Sequence, residues 1–119
     1  NVHSWLRAGS ADASLADIFR VLKSGGTLGV VQHRGTDGMG LDQMKRTAYV
    51  PEAKVIALAE AAGFVLDGRS DINANPKDTK DYPGGVWTLP PSFREGDNDR
   101  EKYAAIGESD RMTLRFKKP

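Results

Sequence analysis

Cysteine is absent from this sequence, so disulfide frameworks and zinc sites built on thiolates are excluded. Histidine is scarce as well: His3 and His33 are the only two, and we expect no bound metal. The formal net charge is only +1, with acidic and basic residues interspersed, which does not indicate a nucleic-acid partner. No apolar run is long enough to cross a membrane and no signal peptide is recognisable, so we expect no membrane partner either.

What remains is the composition of one ordinary globular domain. Hydrophobic residues make up 39% of the chain, too many for a disordered segment and enough for a modest core. Given a length of 119 residues, we expect residues 1–119 to belong to a single domain. The lack of cysteine is compatible with either the cytoplasm or the periplasm, so the sequence leaves the compartment open.

The first part of the chain predicts a helix followed by a strand. Residues 10–24 have the pattern of an amphipathic helix, with Ser10 as its N-terminal cap and Gly25 as the left-handed residue after its end. Its apolar positions recur with helical spacing: Ala11, Leu15, Ile18, Phe19 and Leu22. The continuous apolar and β-branched run at residues 27–31 predicts a strand that is buried on both faces of a parallel sheet.

A second helix and a second strand follow a polar, glycine-rich loop over residues 35–48, in which we expect about one turn of helix. Pro51 fits the first position of the second helix and Gly63 ends it. Residues 64–72 then predict a strand. The order helix, strand, helix, strand indicates an α/β fold with a parallel sheet and right-handed crossovers.

The remainder of the chain breaks this alternation. Residues 73–98 are rich in Pro, Asn and Asp and predict a long loop. A loop of this length in a compact domain is usually functional or disordered. A short helix is predicted at residues 99–106. In the last segment Met112, Leu114 and Phe116 alternate with polar side chains, as in an antiparallel strand with one solvent-exposed face.

Three features in this order coincide in one known family. The motif Asn1-Val2-His3-Ser4-Trp5 precedes the first helix, the turn Leu22-Lys23-Ser24-Gly25-Gly26-Thr27-Leu28 joins that helix to a strand, and an alternating strand follows a long loop. Together they resemble the second half of class I S-adenosylmethionine-dependent methyltransferases, over nearly the whole chain. The sequences at residues 73–78, 86–91 and 107–116 resemble a narrower group, a bacterial group of predicted methyltransferases. Ser24 departs from the family, which usually has Pro there.

The resemblance implies a fold, a cofactor and a missing partner. The chain would be the C-terminal part of a doubly wound, mostly parallel Rossmann-like sheet with an antiparallel last strand. The cofactor would be S-adenosyl-L-methionine, whose glycine loop and acidic ribose ligand would lie in an N-terminal half that this chain does not contain. We therefore expect methyl transfer to a small-molecule acceptor by the full-length enzyme, and no activity from these residues alone.

Ligands of doubly wound folds bind at the carboxyl ends of the strands, and this rule selects the candidate site residues. His3 would be the catalytic base, because its pKa lies near neutrality; Asn1 and Trp5 of the same motif would contact the cofactor. In the structural alternative, Trp5 packs under the following helix and His3 bonds a loop. Substrate binding is expected from side chains that follow the later strands: His33, Arg34, Asn73, Asn75, Asp78 and Trp87.

These substrate-binding candidates also have purely structural interpretations. They are polar side chains in solvent at the end of a strand, side chains that form turns, and an aromatic side chain that anchors the loop by packing. Under the methyltransferase hypothesis, the loop over residues 73–91 would be a lid on the acceptor side, with Gly84-Gly85 as a hinge. Two other functions stay open. A different Rossmann-like enzyme, such as a nicotinamide dehydrogenase, would need a Tyr-x-x-x-Lys pair, and Tyr49 has no Lys four residues on. The other is a binding module without chemistry.

Overall fold

The computed structural model describes residues 1–119 and contains five α-helices, one short 3₁₀ helix and four strands. In chain order these are α1 (Val2–Ala8), α2 (Ala11–Val21), β1 (Thr27–Gly35), α3 (Leu41–Thr47), β2 (Val50–Pro51), α4 (Glu52–Ala61), β3 (Val65–Ser70), the 3₁₀ helix (Gly85–Thr88), α5 (Arg100–Ile106) and β4 (Arg111–Lys117). None of the helices is long and apolar enough to span a lipid bilayer.

The elements predicted from local pattern are largely present. α2 begins after Ser10, although the Ser10 side chain makes no capping hydrogen bond. Gly25, with φ of +82°, makes the left-handed turn toward β1, and Gly63, with φ of +110°, follows α4. α3 is longer than the single turn expected, at seven residues. The motif at residues 1–5 lies mostly on α1, a helix that the sequence did not predict.

The sheet has the strand order β2-β1-β4-β3. β1 pairs in parallel with β2 only at Arg34 and Gly35, whereas β4 runs antiparallel to both β1 and β3. The prediction of a doubly wound, mostly parallel Rossmann-like sheet is therefore wrong: the sheet is mixed and has one parallel pair. The physical reason is that β4, the last strand, lies between β1 and β3. Local patterns identify strands, but they do not specify which strands are neighbours.

Helices cover only one face of this sheet. Val30, Leu114 and Phe116 point to the covered face and share one core with apolar residues of α2 and α4. On the opposite face, Val31 is 45% exposed and Val65 is 54% exposed. The expectation that the strand at residues 27–31 is buried on both faces is thus wrong, because no element covers these side chains. We call the second side of β1, β4 and β3 the open face.

The predicted long loop is present between β3 and α5, and the 3₁₀ helix is its only regular element. A second, smaller core holds it down: Tyr82 and Leu89 of the loop are buried against Tyr103 of α5. The rings of Tyr82 and Tyr103 meet edge to face, with centroids 5.8 Å apart. This packing carries the 3₁₀ helix back toward the ends of β1 and β4.

Candidate functional site

Residues from three distant parts of the chain meet near the carboxyl end of β1. His3 lies on α1, His33 on β1 and Trp87 on the 3₁₀ helix. The ring centroids of His3 and His33 are 5.4 Å apart, and those of His3 and Trp87 are 6.2 Å apart in an edge-to-face arrangement. The structure thus brings together three of the side chains that were predicted from the sequence to be site residues.

Gln32, buried on β1, holds the ring of His3 in one orientation. Its Nε2 donates to the carbonyl oxygen of Ala48 at 2.8 Å, which turns Oε1 toward His3. That oxygen accepts from the backbone N–H of His3 at 3.2 Å and lies 3.3 Å from His3 Nδ1. An amide oxygen can only accept, so Nδ1 carries the proton of the neutral ring.

The other ring nitrogen of His3, Nε2, therefore carries the free lone pair. No protein group bonds it, and no buried side-chain nitrogen or oxygen lacks a partner, so Nε2 must reach solvent. Burial lowers the pKa of His3, and the hydrogen bond to Gln32 opposes that change. At neutral pH the ring is neutral and can accept a proton at Nε2.

His33 lies opposite Arg111 in the antiparallel ladder of β1 and β4. Its Nδ1 is hydrogen-bonded to the hydroxyl of Ser109, a buried residue. Burial and, second, the positive charge of Arg111 lower the pKa of His33 to about 4. His33 is therefore neutral at physiological pH and a much weaker base than an ordinary histidine.

Two small hollows flank His33 and Arg111, and both residues line both hollows. The first, here the loop hollow, has a volume of about 140 Å³; its other lining residues are Val86, Trp87, Pro90, Pro91, Ser92 and Ser109. The second, here the Asn1 hollow, has a volume of about 220 Å³; its other lining residues are Asn1, Val31 and Gln32. No carboxylate lines either hollow. His3 lines neither and lies next to His33.

Trp87 forms one wall of the loop hollow and is held by cations. The guanidinium carbons of Arg7 and Arg94 lie 5.4 Å and 4.8 Å from its ring centroid. Cation–π attraction of this kind restricts the ring's orientation. Trp5, by contrast, is half-buried against the main core and lines neither hollow.

Arg34 is not brought to the hollows, because its donors are engaged elsewhere. It bonds both oxygens of Asp110, at 3.0 Å and 3.1 Å, and it also pairs with Glu52 at 3.2 Å. Burial alone would raise the pKa of Asp110, but hydrogen bonds from Arg34 and Lys80 hold it well below its usual range. This ion cluster ties β1 to the segment before β4.

Asn73, Asn75 and Asp78 bond the loop to the rest of the chain and also lie outside both hollows. Asn73 donates to the hydroxyl of Thr113 at 2.8 Å, and Asn75 donates to the carbonyl oxygens of Ile106 and Glu108. Asp78 is buried and accepts from the Tyr49 hydroxyl at 2.9 Å and from the Asp110 N–H at 2.8 Å. Burial and then the charge of Asp78 raise the pKa of Tyr49 far above its usual range.

Three residues of the site were not predicted from the sequence: Gln32, Ser109 and Arg111. A signal existed for Gln32, since a lone amide beside an apolar run must find hydrogen-bond partners when it is buried. No sequence signal indicated Arg111, because its position opposite His33 depends on the register between β1 and β4. Ser109 had none either, because it follows the loop far along the chain.

No cluster of three or more histidine, cysteine or carboxylate side chains is placed to hold a metal ion. A scan against models of protein families gave no match to this sequence. Searches of curated proteins and of solved structures gave no match either.

Proposed function

We propose that this chain forms the acceptor side of an S-adenosylmethionine-dependent methyltransferase and supplies its general base, His3. The observation that carries the proposal is the neutral His3 ring, held by Gln32 with Nε2 free, next to His33, which lines two hollows of about 140 Å³ and 220 Å³. The resemblance of the sequence to methyltransferases supports it independently.

His3 is assigned as the base rather than His33 because of their basicity. A general base works best when its pKa lies near the operating pH, and a group with a pKa of about 4, such as His33, accepts protons poorly at neutral pH. His33 instead contacts the acceptor, since it lines both hollows. A base is needed when the acceptor is a hydroxyl or another weak nucleophile, so we propose an acceptor of that kind.

The residues around His33 do not by themselves fit the cofactor. The two hollows at His33 are smaller than the roughly 300 Å³ at which ligand pockets of this class begin, and they contain no carboxylate for ribose hydroxyls. The one Gly-x-Gly sequence, at residues 38–40, precedes a helix of only seven residues, and its central Met39 is buried in the core. We therefore propose that residues outside this chain hold the cofactor.

The test is methyl transfer by the full-length protein that contains this chain, with labelled S-adenosylmethionine and a panel of small hydroxyl acceptors. His3→Gln should lower kcat by about 10²-fold or more, the usual contribution of a general base. His33→Gln should mainly raise KM. Gln32→Leu, which frees the His3 ring, should lower kcat and change its pH profile.

Two results would contradict the proposal. Absence of both cofactor binding and transfer in the full-length protein would remove the methyltransferase assignment. Loss of kcat in His33→Gln with normal kcat in His3→Gln would move the base to His33. As a companion measurement, calorimetry on this chain alone should detect no micromolar binding of S-adenosylmethionine.

A further inference from the structure

We propose that the loop hollow is a binding site for a carboxylate, and that the acceptor carries this carboxylate. The second statement rests on the proposed function, whereas the first does not. A hollow of about 140 Å³ has room for roughly four water molecules. That is enough for a carboxylate and the first atoms of the group that bears it.

Arg111 supplies the positive charge. Its one ion-pair partner is Glu108, which it contacts through Nη2 at 3.1 Å, and the Glu108 side chain is 59% exposed. The Arg111 side chain is 30% exposed, so solvent reaches the pair from the Glu108 side, and a pair in contact with solvent contributes little and is readily exchanged. Only Nη2 of Arg111 bonds a protein group, and a two-bond fork pairs Nη2 with Nε or with Nη1, as Nε and Nη2 of Arg34 do toward Asp110. A carboxylate therefore binds in the fork by replacing Glu108 at Nη2 or by taking the second N–H of Nη2.

The rest of the lining suits an anion as well. The hydroxyl of Ser92, which is exposed, has no protein partner and can donate. No carboxylate lines the hollow to repel a negative ligand, and Trp87 and Val86 offer an apolar wall for the remainder of the molecule. Once it has exchanged Glu108 for the ligand, one guanidinium balances one negative charge, and its fork matches a carboxylate in two parallel hydrogen bonds, which favours a carboxylate over a doubly charged phosphate.

The experiment is a titration of this chain with sodium acetate, sodium benzoate and inorganic phosphate at constant ionic strength, followed by NMR. We expect saturable shifts of the Trp87 indole and Ser109 amide signals with the carboxylates. Arg111→Gln should weaken that binding at least tenfold. Arg111→Lys, which keeps the charge but loses the fork, should weaken it less.

The matched control is Arg115→Gln. Arg115 lies on the same strand and face, about 13 Å farther along, and pairs with Asp67. The Arg115→Gln substitution removes the same charge as Arg111→Gln, and the affinity for carboxylates should be unchanged.

Three results would overturn the proposal: no saturable shift with either carboxylate, equal loss of affinity in Arg111→Gln and Arg115→Gln, or tighter binding of phosphate than of both carboxylates. Methyl transfer plays no part in this titration. If the titration detects no carboxylate binding, the proposed function is therefore not contradicted. If the full-length protein shows no methyl transfer, the carboxylate site is not contradicted.

Discussion

His3 and His33 are neighbours in space, but different groups hold their rings. A buried amide, Gln32, orients His3 and leaves one nitrogen free. Ser109 bonds His33, and burial and then the charge of Arg111 across the ladder disfavour protonation there. At the scale of single residues, two identical side chains thus acquire different hydrogen-bond partners and different basicity through neighbours that are remote in sequence.

The lowered pKa of His33 predicts how stability depends on pH. The folded state binds this proton less tightly than the unfolded state, with a pKa of about 4 against 6.5, so protonation favours unfolding. Stability from this group should be complete above pH 6.5 and should fall by roughly 3 kcal/mol as the pH drops from 6.5 to 4.

Urea unfolding of the natural chain and of His33→Gln between pH 7 and pH 4 measures this dependence. The variant should show a shallower loss of stability over that window. Parallel curves for the two proteins would contradict the prediction. His3, whose pKa is also lowered, contributes a loss of the same sign to both curves, so the difference between the curves reports His33 together with its interaction with His3.

At the scale of elements, the loop between β3 and α5 is fastened at several points. Asp78 accepts hydrogen bonds from Tyr49 and Asp110 of other segments and from the N–H of Lys80 within the loop, and Asn75 bonds Asp110, Ile106 and Glu108. Gly85, expected as part of a hinge, has φ of +61°, and a Cβ there would lie 2.5 Å from the Thr47 backbone. This glycine permits close packing. The lid role of residues 73–91 stays a prediction.

Asp78→Asn should lower the free energy of unfolding by about 2 kcal/mol, because an amide would set one donor against the donors that Asp78 now accepts from. Chemical denaturation measures the change. The control is Lys77→Ala, a neighbouring exposed residue, which should stay within about 0.5 kcal/mol of the natural chain. Equal stability of the two variants would show that the Asp78 bonds do not hold the loop.

At the scale of the whole molecule, the open face and the edge of β1 are the exposed features. β2 covers the edge of β1 only at Arg34 and Gly35, and the remaining residues of β1 have no strand on that side. Val31 and Val65 expose apolar surface on the open face. Unpaired strand edges and uncovered apolar surface both favour association with other chains.

We therefore predict that the isolated chain self-associates as its concentration rises, which sedimentation velocity would detect. Val31→Lys should shift the distribution toward monomer, since a charged side chain on an edge strand opposes pairing. Val21→Lys is the matched control, because Val21 is 67% exposed but lies on α2 and not on a strand. A chain that stays monomeric at all concentrations would refute this prediction.

The sequence by itself determined the local elements of this protein. Gly63 follows α4 and Gly25 makes the turn between α2 and β1, because only glycine takes a left-handed φ at no steric cost. The alternation of Met112, Leu114 and Phe116 marks β4, because strand side chains alternate between faces. These signals act within a few residues, so the sequence displays them directly. His3, His33 and Trp87 could likewise be selected as candidates from residue type and position.

Tertiary structure alone decided the rest. Whether β1 has one covered face or two, and whether β4 lies between β1 and β3, depends on contacts between segments far apart in the chain. The same holds for the hydrogen bond that fixes the His3 ring and for the register that sets Arg111 opposite His33. The free energy of such contacts belongs to pairs of distant residues, and no local pattern of hydropathy encodes which pairs will meet.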